Sequence, residues 1–243
     1  MNNSKLVVVS GASQGLGLAI CESLLKQGYK VLGLSRKHSD GFIELANLYS
    51  QQLDWLQCDL ADLANIPQLC RDIVKQFGRP YALVNNAAVG HDGILATMHD
   101  SEIDQVMRLN VQSPILMTKY LTRPMLLNQE GRIINISSII ANTGFNGLSV
   151  YAASKAALQG FTGSLARELG KANITVNSVA PGFLETQMTE KLEGDKLDKI
   201  RRRTPLKSLA SPQQAASAVC YLLSSEASAI TGTTITVDAG STA

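Results

Sequence analysis

The sequence of 243 residues has few of the side chains that build metal sites and disulfide frameworks. Its four cysteines are scattered without a C-x-x-C pair, and its three histidines have no ligand spacing relative to them. This pattern argues against a zinc site, and scattered free thiols suit a reducing compartment. We therefore expect no metal ion, and a cytoplasmic location or another reducing compartment.

Long apolar runs and an excess of one sign of charge are also missing. The first apolar stretch, Leu6 to Val9, is too short for the core of a signal peptide or for a membrane span. The formal net charge of +2 is too small to indicate nucleic acid or an acidic membrane surface as a partner. Apolar residues make up 45% of the chain and charged residues only 17%, which excludes extensive disorder.

Short β-rich runs alternate with longer helical runs along the chain. Most strand candidates are continuously apolar, as is typical of parallel strands covered by helices on both faces. The repeated strand–helix–strand order predicts right-handed βαβ units in one open sheet. We therefore predict an α/β fold over residues 1–243, a single doubly wound Rossmann-type domain with a parallel sheet of about seven strands. The predicted strands are Lys5–Ser10, Lys30–Ser35, Leu53–Cys58, Tyr81–Asn85, Arg132–Ser137, Thr175–Ala180 and Thr233–Asp238. The predicted helices are Gly15–Gln27, Gly41–Gln52, Asp62–Phe77, Ser101–Asn128, Ser149–Lys171 and Ser211–Ser224.

One charge-dense segment, residues 182–205, interrupts this alternation between the sixth strand and the last helix. We interpret it as a short helical insertion over the sheet edge. Ligands of such folds bind outside the carboxyl ends of the strands, which makes this insertion a candidate lid over a substrate.

A glycine-rich turn follows the first strand. Glycines there allow a tight turn and close approach of a phosphate, and the following helix offers free N–H groups. The spacing is Gly-x3-Gly-x-Gly, and no Gly-Lys-Ser/Thr follows, so the turn is not a P-loop. A βα turn that binds nothing would look the same, but its place after the first strand favours a dinucleotide. The candidate ligands are Gly11, Ser13, Gln14, Gly15, Leu16 and Gly17.

The end of the second strand indicates which dinucleotide binds. An NAD site usually has Asp or Glu about 20 residues after the glycines, to bind the ribose 2′-hydroxyl. This chain has Ser35-Arg36-Lys37 there, which suits the 2′-phosphate of NADPH instead. The alternative is that both cations are solvated surface residues. Asp59 and Leu60, after the third strand, are candidates for the adenine side, although Asp59 could equally cap the next helix.

The chain resembles the short-chain dehydrogenase/reductase family over nearly its whole length. The resemblance rests on motifs in a fixed order: Ser10–Gly17, Asn85-Asn86-Ala87-Ala88, Asn110, Ser138, the Y-x-x-x-K pair Tyr151 and Lys155, and Pro181-Gly182. Three residues depart from the family's pattern. Ser10 replaces Thr, while Ala88 and Ala239 stand where the family usually has Gly.

The residue chemistry supports a ketone reductase. Tyr151 and Lys155 lie four residues apart on one predicted helix, hence on one face. A nearby ammonium is expected to lower the pKa of the phenol, which makes Tyr151 the general acid and Lys155 its electrostatic partner and ribose ligand. Ser138 would polarise the substrate carbonyl. The resemblance implies that Asn110 holds a water in a proton relay to Lys155, whereas Asn110 alone could be a buried polar bridge.

The remaining candidate residues follow the fourth and sixth strands. Asn86 and Ala87 are expected to offer contacts from the loop backbone on the adenosine side. Beyond Pro181 and Gly182, Leu184 and Thr186 are expected to reach the nicotinamide amide and the phosphates, or else to be plain loop residues.

Within the family, the chain is most similar to 3-oxoacyl-(acyl carrier protein) reductases, on Val176–Thr189 and Ile230–Asp238. The resemblance implies NADPH-dependent reduction of a 3-oxoacyl thioester. A broader ketone reductase, a non-catalytic NADP(H)-binding regulator and an S-adenosylmethionine methyltransferase are the alternatives. Candidate cations for an acidic carrier are Lys171, Arg123 and the run Arg201 to Arg203.

The resemblance also implies homotetramers, built partly on the helix that carries Tyr151 and on the long predicted helix before it. A ridge of small residues lies along the helix that carries Tyr151, and its alternative role is tight packing on the chain's own sheet. It consists of Ala152, Ala156, Gly160 and Gly163.

Overall fold

A computed structural model describes residues 5–184 and 201–243. Seven parallel strands form one sheet in the order β3-β2-β1-β4-β5-β6-β7. The order reverses at β1, which pairs with both β2 and β4, so the predicted doubly wound α/β fold is confirmed. The strands are β1 Leu6–Ser10, β2 Lys30–Ser35, β3 Leu53–Gln57, β4 Ala82–Asn85, β5 Gly131–Ile136, β6 Ile174–Pro181 and β7 Thr234–Val237.

Helices cover both faces of this sheet. The α-helices that lie wholly within the described residues are α1 Gly15–Lys26, α2 Asp40–Leu48, α3 Ile66–Phe77, α4 Asp100–Met107, α5 Ser113–Asn128, α6 Ile140–Thr143, α7 Ser149–Leu169 and α8 Pro212–Leu223. One apolar core cluster includes side chains of α1, α2 and α8. The other includes side chains of α3, α5 and α7 on the opposite face. The central strands are buried from both sides, which explains their continuous apolar runs.

Local signals explain several helix ends. The Ser39 hydroxyl caps α2 by accepting a hydrogen bond from the Phe42 N–H at 3.1 Å. Ser211 and Gln214 form a capping box at the start of α8. Helix α3 ends before Gly78, whose φ of +90° suits glycine. It begins at Ile66 rather than at Asp62 as predicted, because residues 59–65 form turns, one of them held by an Asp62–Asn65 side-chain contact.

The long helix predicted over Ser101–Asn128 was wrong in its middle. A π-helical segment, Arg108–Gln112, separates α4 from α5. Pro114, in the first turn of α5, lacks an N–H and so favours a break in the regular α-helical ladder. Such π segments occur often at functional sites, and this one contains Asn110.

The predicted insertion at 182–205 falls mostly on residues 185–200, outside the described residues. No helix within the two described ranges is long and apolar enough to cross a lipid bilayer. In the same ranges, no group of three or more His, Cys, Asp or Glu side chains could hold a metal ion.

Candidate active site

The candidate site lies along the carboxyl edge of the sheet, where several strands end in polar residues. Ser10, Ser35 and Asn85 end β1, β2 and β4, and Ser138 follows β5 by two residues. Ligands bind at this edge in doubly wound folds, near the point where the strand order reverses. The topology therefore brings the predicted cofactor and catalytic segments to one edge of the molecule.

Three predicted catalytic residues meet where β5 ends and α7 begins. Ser138 is 8% exposed, and its hydroxyl is hydrogen-bonded with the Tyr151 phenol. Lys155 is 2% exposed, and its Nζ donates to the Ile136 carbonyl at 2.8 Å. That Nζ lies 5.6 Å from the centroid of the Tyr151 ring, one helical turn away. The phenol, the hydroxyl and the ammonium therefore belong to one cluster, in which Ser138 and Lys155 are buried and Tyr151 is half-buried.

The protonation of this cluster is controlled by burial. Burial raises the pKa of the Tyr151 phenol above its ordinary value of 10.0, and the hydrogen bond with Ser138 acts in the opposite direction. The sequence-based expectation of a lowered tyrosine pKa was wrong for this state of the protein, because desolvation is the largest cause and Lys155 Nζ bonds to a backbone carbonyl. Burial also lowers the pKa of the Lys155 ammonium to about 8. The phenol is therefore protonated at neutral pH, the form that a general acid needs.

Hydrogen bonds of two serines hold the N-terminal part of α7 in place. The Ser137 hydroxyl donates to the Lys155 carbonyl at 3.0 Å, and the Ser154 hydroxyl donates to the Tyr151 carbonyl at 2.7 Å. Ser154 also accepts a hydrogen bond from the Asn110 side chain at 3.1 Å. These contacts fix the backbone that carries the catalytic side chains, and sequence reasoning did not single out either serine.

Asn110 is 1% exposed, and its side-chain amide is hydrogen-bonded within the protein. Its Oδ1 accepts from the Val89 N–H at 2.9 Å, and its Nδ2 donates to the Val89 carbonyl at 2.8 Å and to Ser154. Both amide hydrogens are therefore used within the protein. The side chain bridges the loop after β4 to α7, which matches the buried polar bridge considered for Asn110. A relay water would have to contact the main chain or the remaining Oδ1 lone pair.

At Gly11 and Gly17, the glycine turn brings backbone atoms too close for any side chain. A Cβ on Gly17 would lie 2.0 Å from the Gly11 carbonyl oxygen, and one on Gly11 would lie 2.9 Å from the Ala87 Cα. Gly11 and Gly15 have φ values of +65° and +53°, which favour glycine. A Cβ on Gly15 would meet nothing within 4 Å among the described residues, so this part of the turn faces open space.

Helix α1 begins at this open space without a side-chain cap. Its N-cap residue Gln14 makes no side-chain capping hydrogen bond, and its first turn contains no acidic residue. Gln14 and Gly15 are exposed, and Ser13 and Leu16 are half-buried. The uncapped N–H groups and the positive end of the helix dipole fit a pyrophosphate. These residues therefore fit a dinucleotide cofactor.

The loop after β4 is held against the glycine turn. The Ser10 hydroxyl accepts from the N–H groups of Asn86 and Ala87 at 2.9 and 3.0 Å. The Asn86 Nδ2 donates to the carbonyls of Ser10 and Gly11 at 2.9 and 3.1 Å. The Asn86 side chain thus shapes the cofactor turn from within the protein. A serine hydroxyl in place of the family's threonine suffices for this contact.

At the end of β2, the side chains differ sharply in exposure. Ser35 is 9% exposed, whereas Arg36 and Lys37 are exposed. No ion pair within the described residues involves either cation. Two uncompensated positive charges therefore stand near the glycine turn, as a 2′-phosphate site requires.

After β3, Asp59 is exposed and its Oδ1 accepts from the Ala61 N–H at 2.9 Å. The carboxylate thus stabilises the next turn, which was the alternative considered for it. Leu60 is 5% exposed and its side chain belongs to the apolar core, so only its main chain remains for a ligand.

The segment after β6 packs against the end of β7. The Gly182 N–H donates to the Val237 carbonyl at 2.9 Å, and a Cβ on Gly182 would lie 2.7 Å from the Asp238 Cβ. The Pro181 carbonyl accepts from the Ile139 N–H at 3.1 Å, which links this segment to the catalytic strand end. Leu184 forms a β-bridge with Ala210. Thr186 lies outside the described residues.

The chain is similar to known proteins over nearly its whole length. A family model described as enoyl-(acyl carrier protein) reductase matches residues 11–242. The chain is 39% identical over 236 residues to the 3-oxoacyl-(acyl carrier protein) reductase FabG of Escherichia coli, covering 97% of this chain and 96% of that protein. It also resembles a solved variant of a Serratia marcescens short-chain dehydrogenase/reductase, with a TM-score of 0.91 and 32% identity over 98% of both chains. A candidate NAD(P)-dependent gluconate 5-dehydrogenase from Beutenbergia cavernae, solved with NADP bound at low occupancy, has a TM-score of 0.92 and 29% identity over 97% of this chain and 96% of that one.

Proposed function

The chain belongs to the short-chain dehydrogenase/reductase family, and from this premise we propose that it reduces 3-oxoacyl thioesters on acyl carrier protein, with NADPH, to the 3-hydroxyacyl form. The observation that carries the proposal is the cluster of Ser138, Tyr151 and Lys155 at the carboxyl edge of the sheet, the edge that also holds the uncapped glycine turn. The similarity to 3-oxoacyl-(acyl carrier protein) reductases over nearly the full length supports the substrate class.

The residues have complementary tasks in such a reduction. When bound, the nicotinamide cofactor supplies a hydride to the carbonyl carbon. The Ser138 hydroxyl binds the carbonyl oxygen as negative charge develops there, and the Tyr151 phenol donates its proton to that oxygen. The positive charge of Lys155 stabilises the phenolate that remains. Lys155 would also hold the cofactor's ribose, and Ser13, Gln14, Gly15 and Leu16 would hold its pyrophosphate.

NADPH rather than NADH is the coenzyme of this proposal. The exposed Arg36 and Lys37 lack acidic partners within the described residues, and the end of β2 has no acid for a ribose 2′-hydroxyl. The Beutenbergia cavernae structure with NADP supports the same group of coenzymes.

For the carrier, cations on α3 and α5 offer a docking surface. A groove of about 320 Å³ between these helices is lined by Cys70, Arg71, Val74, Lys75, Tyr120 and Arg123. Its three cations make no ion pair among the described residues, and the predicted carrier contact Arg123 is one of them. An acidic carrier would be steered toward such a surface. Lys171, another of the predicted contacts, is also exposed.

A homotetramer is the proposed assembly. On α7, Ala156 and Gly160 are exposed and Ala152 and Gly163 are half-buried. A Cβ on Gly160 or Gly163 would meet nothing within 4 Å among the described residues, so the ridge does not pack tightly on the chain's own sheet. Mass measurement by light scattering should give a tetramer, and Gly160→Leu should shift it to smaller species.

The decisive experiment compares NADPH oxidation with one 3-oxoacyl group on carrier protein, on coenzyme A and on a truncated thiol. We expect kcat/KM to be highest with the carrier and this advantage to shrink as salt rises, because screening weakens steering. Arg123→Glu and Lys171→Glu should lower the carrier advantage, while Lys26→Glu, on the opposite face of the sheet, should preserve it. Equal, salt-independent rates for all three thioesters would instead support a broader ketone reductase.

A further inference from the structure

The basic segment after β2, residues 36–38, is held in place by side chains of the neighbouring strand β3. Trp55 Nε1 donates to the Ser35 hydroxyl at 2.8 Å, and the Ser35 hydroxyl donates to the Lys37 carbonyl at 2.9 Å. The indole N–H can only donate, so the single hydroxyl proton of Ser35 is committed to Lys37. Ser35 therefore has no proton left for a ligand and acts as a clamp on the segment.

The same indole supports the far end of the segment. The His38 ring lies against Trp55 with 3.6 Å between ring centroids and an interplanar angle of 35°. Gln57, two residues beyond Trp55 and on the same side of the strand, donates from Nε2 to the Arg36 carbonyl at 3.0 Å. The segment is thus held at Arg36 by Gln57, at Lys37 by Ser35 and at His38 by Trp55.

A further contact connects the segment with the cofactor turn. The Ser39 hydroxyl donates to the Ser13 carbonyl while it accepts from Phe42 as the cap of α2. The segment is thereby fixed relative to the glycine turn, with its backbone held and the side chains of Arg36 and Lys37 exposed. Such an arrangement lowers the entropy that a loop loses on binding, which strengthens binding without adding a contact.

We propose that Trp55, acting through Ser35 and His38, is a positioning residue that sets the preference of this protein for a 2′-phosphorylated adenosine. The proposal rests on the proposed function, because it takes residues 36–38 as the site of the NADPH 2′-phosphate. Trp55 itself lies behind the segment and needs no contact with the ligand. The discrimination comes from a cationic segment that is already in its binding conformation.

Binding of two cofactor fragments to the full chain tests the proposal without catalysis. Calorimetry gives the dissociation constants of adenosine 2′,5′-bisphosphate and of 5′-AMP, which differ by the 2′-phosphate alone. In the wild type, the bisphosphate should bind more tightly. Trp55→Phe keeps a ring against His38 but removes the N–H, and Ser35→Ala removes the clamp. Each should lower the discrimination ratio about threefold to tenfold, with 5′-AMP affinity nearly unchanged.

Two further variants separate the possible failures. Trp55→Phe combined with Ser35→Ala should lower the ratio no more than one substitution does, because both break one chain of hydrogen bonds. Tyr221→Phe, an exposed aromatic on α8, should keep the wild-type ratio. Because Trp55 is the single tryptophan of the sequence, its fluorescence should change when the bisphosphate binds.

The outcomes distinguish this proposal from the proposed function. If the double variant Arg36→Met, Lys37→Met leaves the ratio unchanged, residues 36–38 do not bind the 2′-phosphate, and both the proposed NADPH preference and the role of Trp55 are overturned. If this double variant lowers the ratio but Trp55→Phe and Ser35→Ala do not, only the positioning role of Trp55 is overturned. Equal weakening of both fragments in Trp55→Phe would mark a merely structural role and would also overturn it.

Discussion

The two halves of the proposed site lie at the ends of β5 and β2. They differ in the exposure of their charged groups. Beyond β5, Ser138 and Lys155 are buried, and the Lys155 ammonium donates to a backbone carbonyl. Beyond β2, Arg36 and Lys37 project from the protein, and neither forms an ion pair within the described residues. Desolvation shifts pKa values in the proposed catalytic half, whereas the proposed cofactor half keeps two solvated cations, which suits binding of a phosphate.

Hydrogen bonds fix the position of the backbone in both halves. At the catalytic half, Ser137 and Ser154 fix the helix that carries Tyr151 and Lys155. At the cofactor half, Trp55 and Gln57 fix the exposed segment from the next strand. Both halves therefore hold their functional side chains through hydrogen bonds to main-chain or hydroxyl groups, and only the burial differs. The following four experiments test that difference, from the largest expected effect to the smallest.

Removal of the buried phenol hydroxyl should have the largest effect. Tyr151→Phe should lower kcat for ketone reduction by ~10²–10⁴, because the proton donor is lost while the ring still packs. NADPH affinity, measured by fluorescence, should stay near that of the wild type. The matched variant Tyr221→Phe, on α8, should retain full activity. Turnover of Tyr151→Phe near the wild-type rate would exclude Tyr151 as the general acid.

Burial of the Lys155 ammonium should appear as a pH-dependent cost of folding. Its pKa is lowered from an ordinary 10.5 to about 8. Between these values the unfolded chain holds the proton and the folded chain does not. The cost is therefore complete below pH 8 and disappears as pH rises toward 10.5. The stability of Lys155→Met relative to the wild type should fall by about 2 kcal/mol between pH 7 and pH 10.

Denaturant unfolding at several pH values measures this difference. Lys155→Leu provides the control, since the pH dependence comes from the wild-type lysine and should be the same for either apolar replacement. A difference in unfolding free energy that stays constant across this pH range would show that the Lys155 pKa is not lowered.

At the exposed half, Arg36→Met should reduce the preference for NADPH over NADH. A charge-assisted contact contributes roughly 1.5–3 kcal/mol, which corresponds to about a tenfold to hundredfold loss in the ratio of the two kcat/KM values. Arg79→Met, an arginine bound to Asn128 at the opposite edge of the sheet, should leave this ratio intact. Unchanged preference in Arg36→Met would mean that this cation is only a solvated surface group.

The smallest effect is expected beside the β6 end, in the turn after β7. Ala239 has a φ of +57°, at a position where the family usually has glycine. The left-handed conformation costs a residue with a Cβ roughly 1–2 kcal/mol, and glycine relieves this strain. Part of the stabilisation is offset because glycine has greater conformational freedom in the unfolded chain. Ala239→Gly should therefore stabilise the protein by about 0.5–1 kcal/mol. In thermal unfolding, Ala218→Gly within α8 should instead destabilise it by about 1 kcal/mol.

Much of the catalytic half was predictable because its geometry is local. A spacing of four residues on one helix places Tyr151 and Lys155 on the same face in any helical structure. Apolar runs predicted the parallel strands, and parallel strands bring their carboxyl ends, including Ser138 and the glycine turn, to one edge. The sheet and the position of the site were therefore accessible from spacing and hydropathy.

Other features needed the tertiary structure because they depend on distant segments. The expected pKa direction of Tyr151 was wrong, since burial by the surrounding chain outweighs its neighbours along the helix. The π-helical segment around Asn110 arises where α4 and α5 meet, and the regular apolar pattern did not indicate it. The sequence predicted backbone contacts from Asn86, and only the structure shows that its side chain binds the carbonyls of Ser10 and Gly11.

The sequence by itself determined which residues reach the carboxyl edge of the sheet, because strand ends and helix periodicity follow from short-range patterns. Only the tertiary structure decided how those residues are held. Trp55 lies 20 residues from Ser35 along the chain, and the two meet because β2 and β3 pair in parallel with Ser35 opposite Gln57. Register between strands is set by packing of the whole sheet. A contact that depends on this register therefore cannot be predicted from the local sequence.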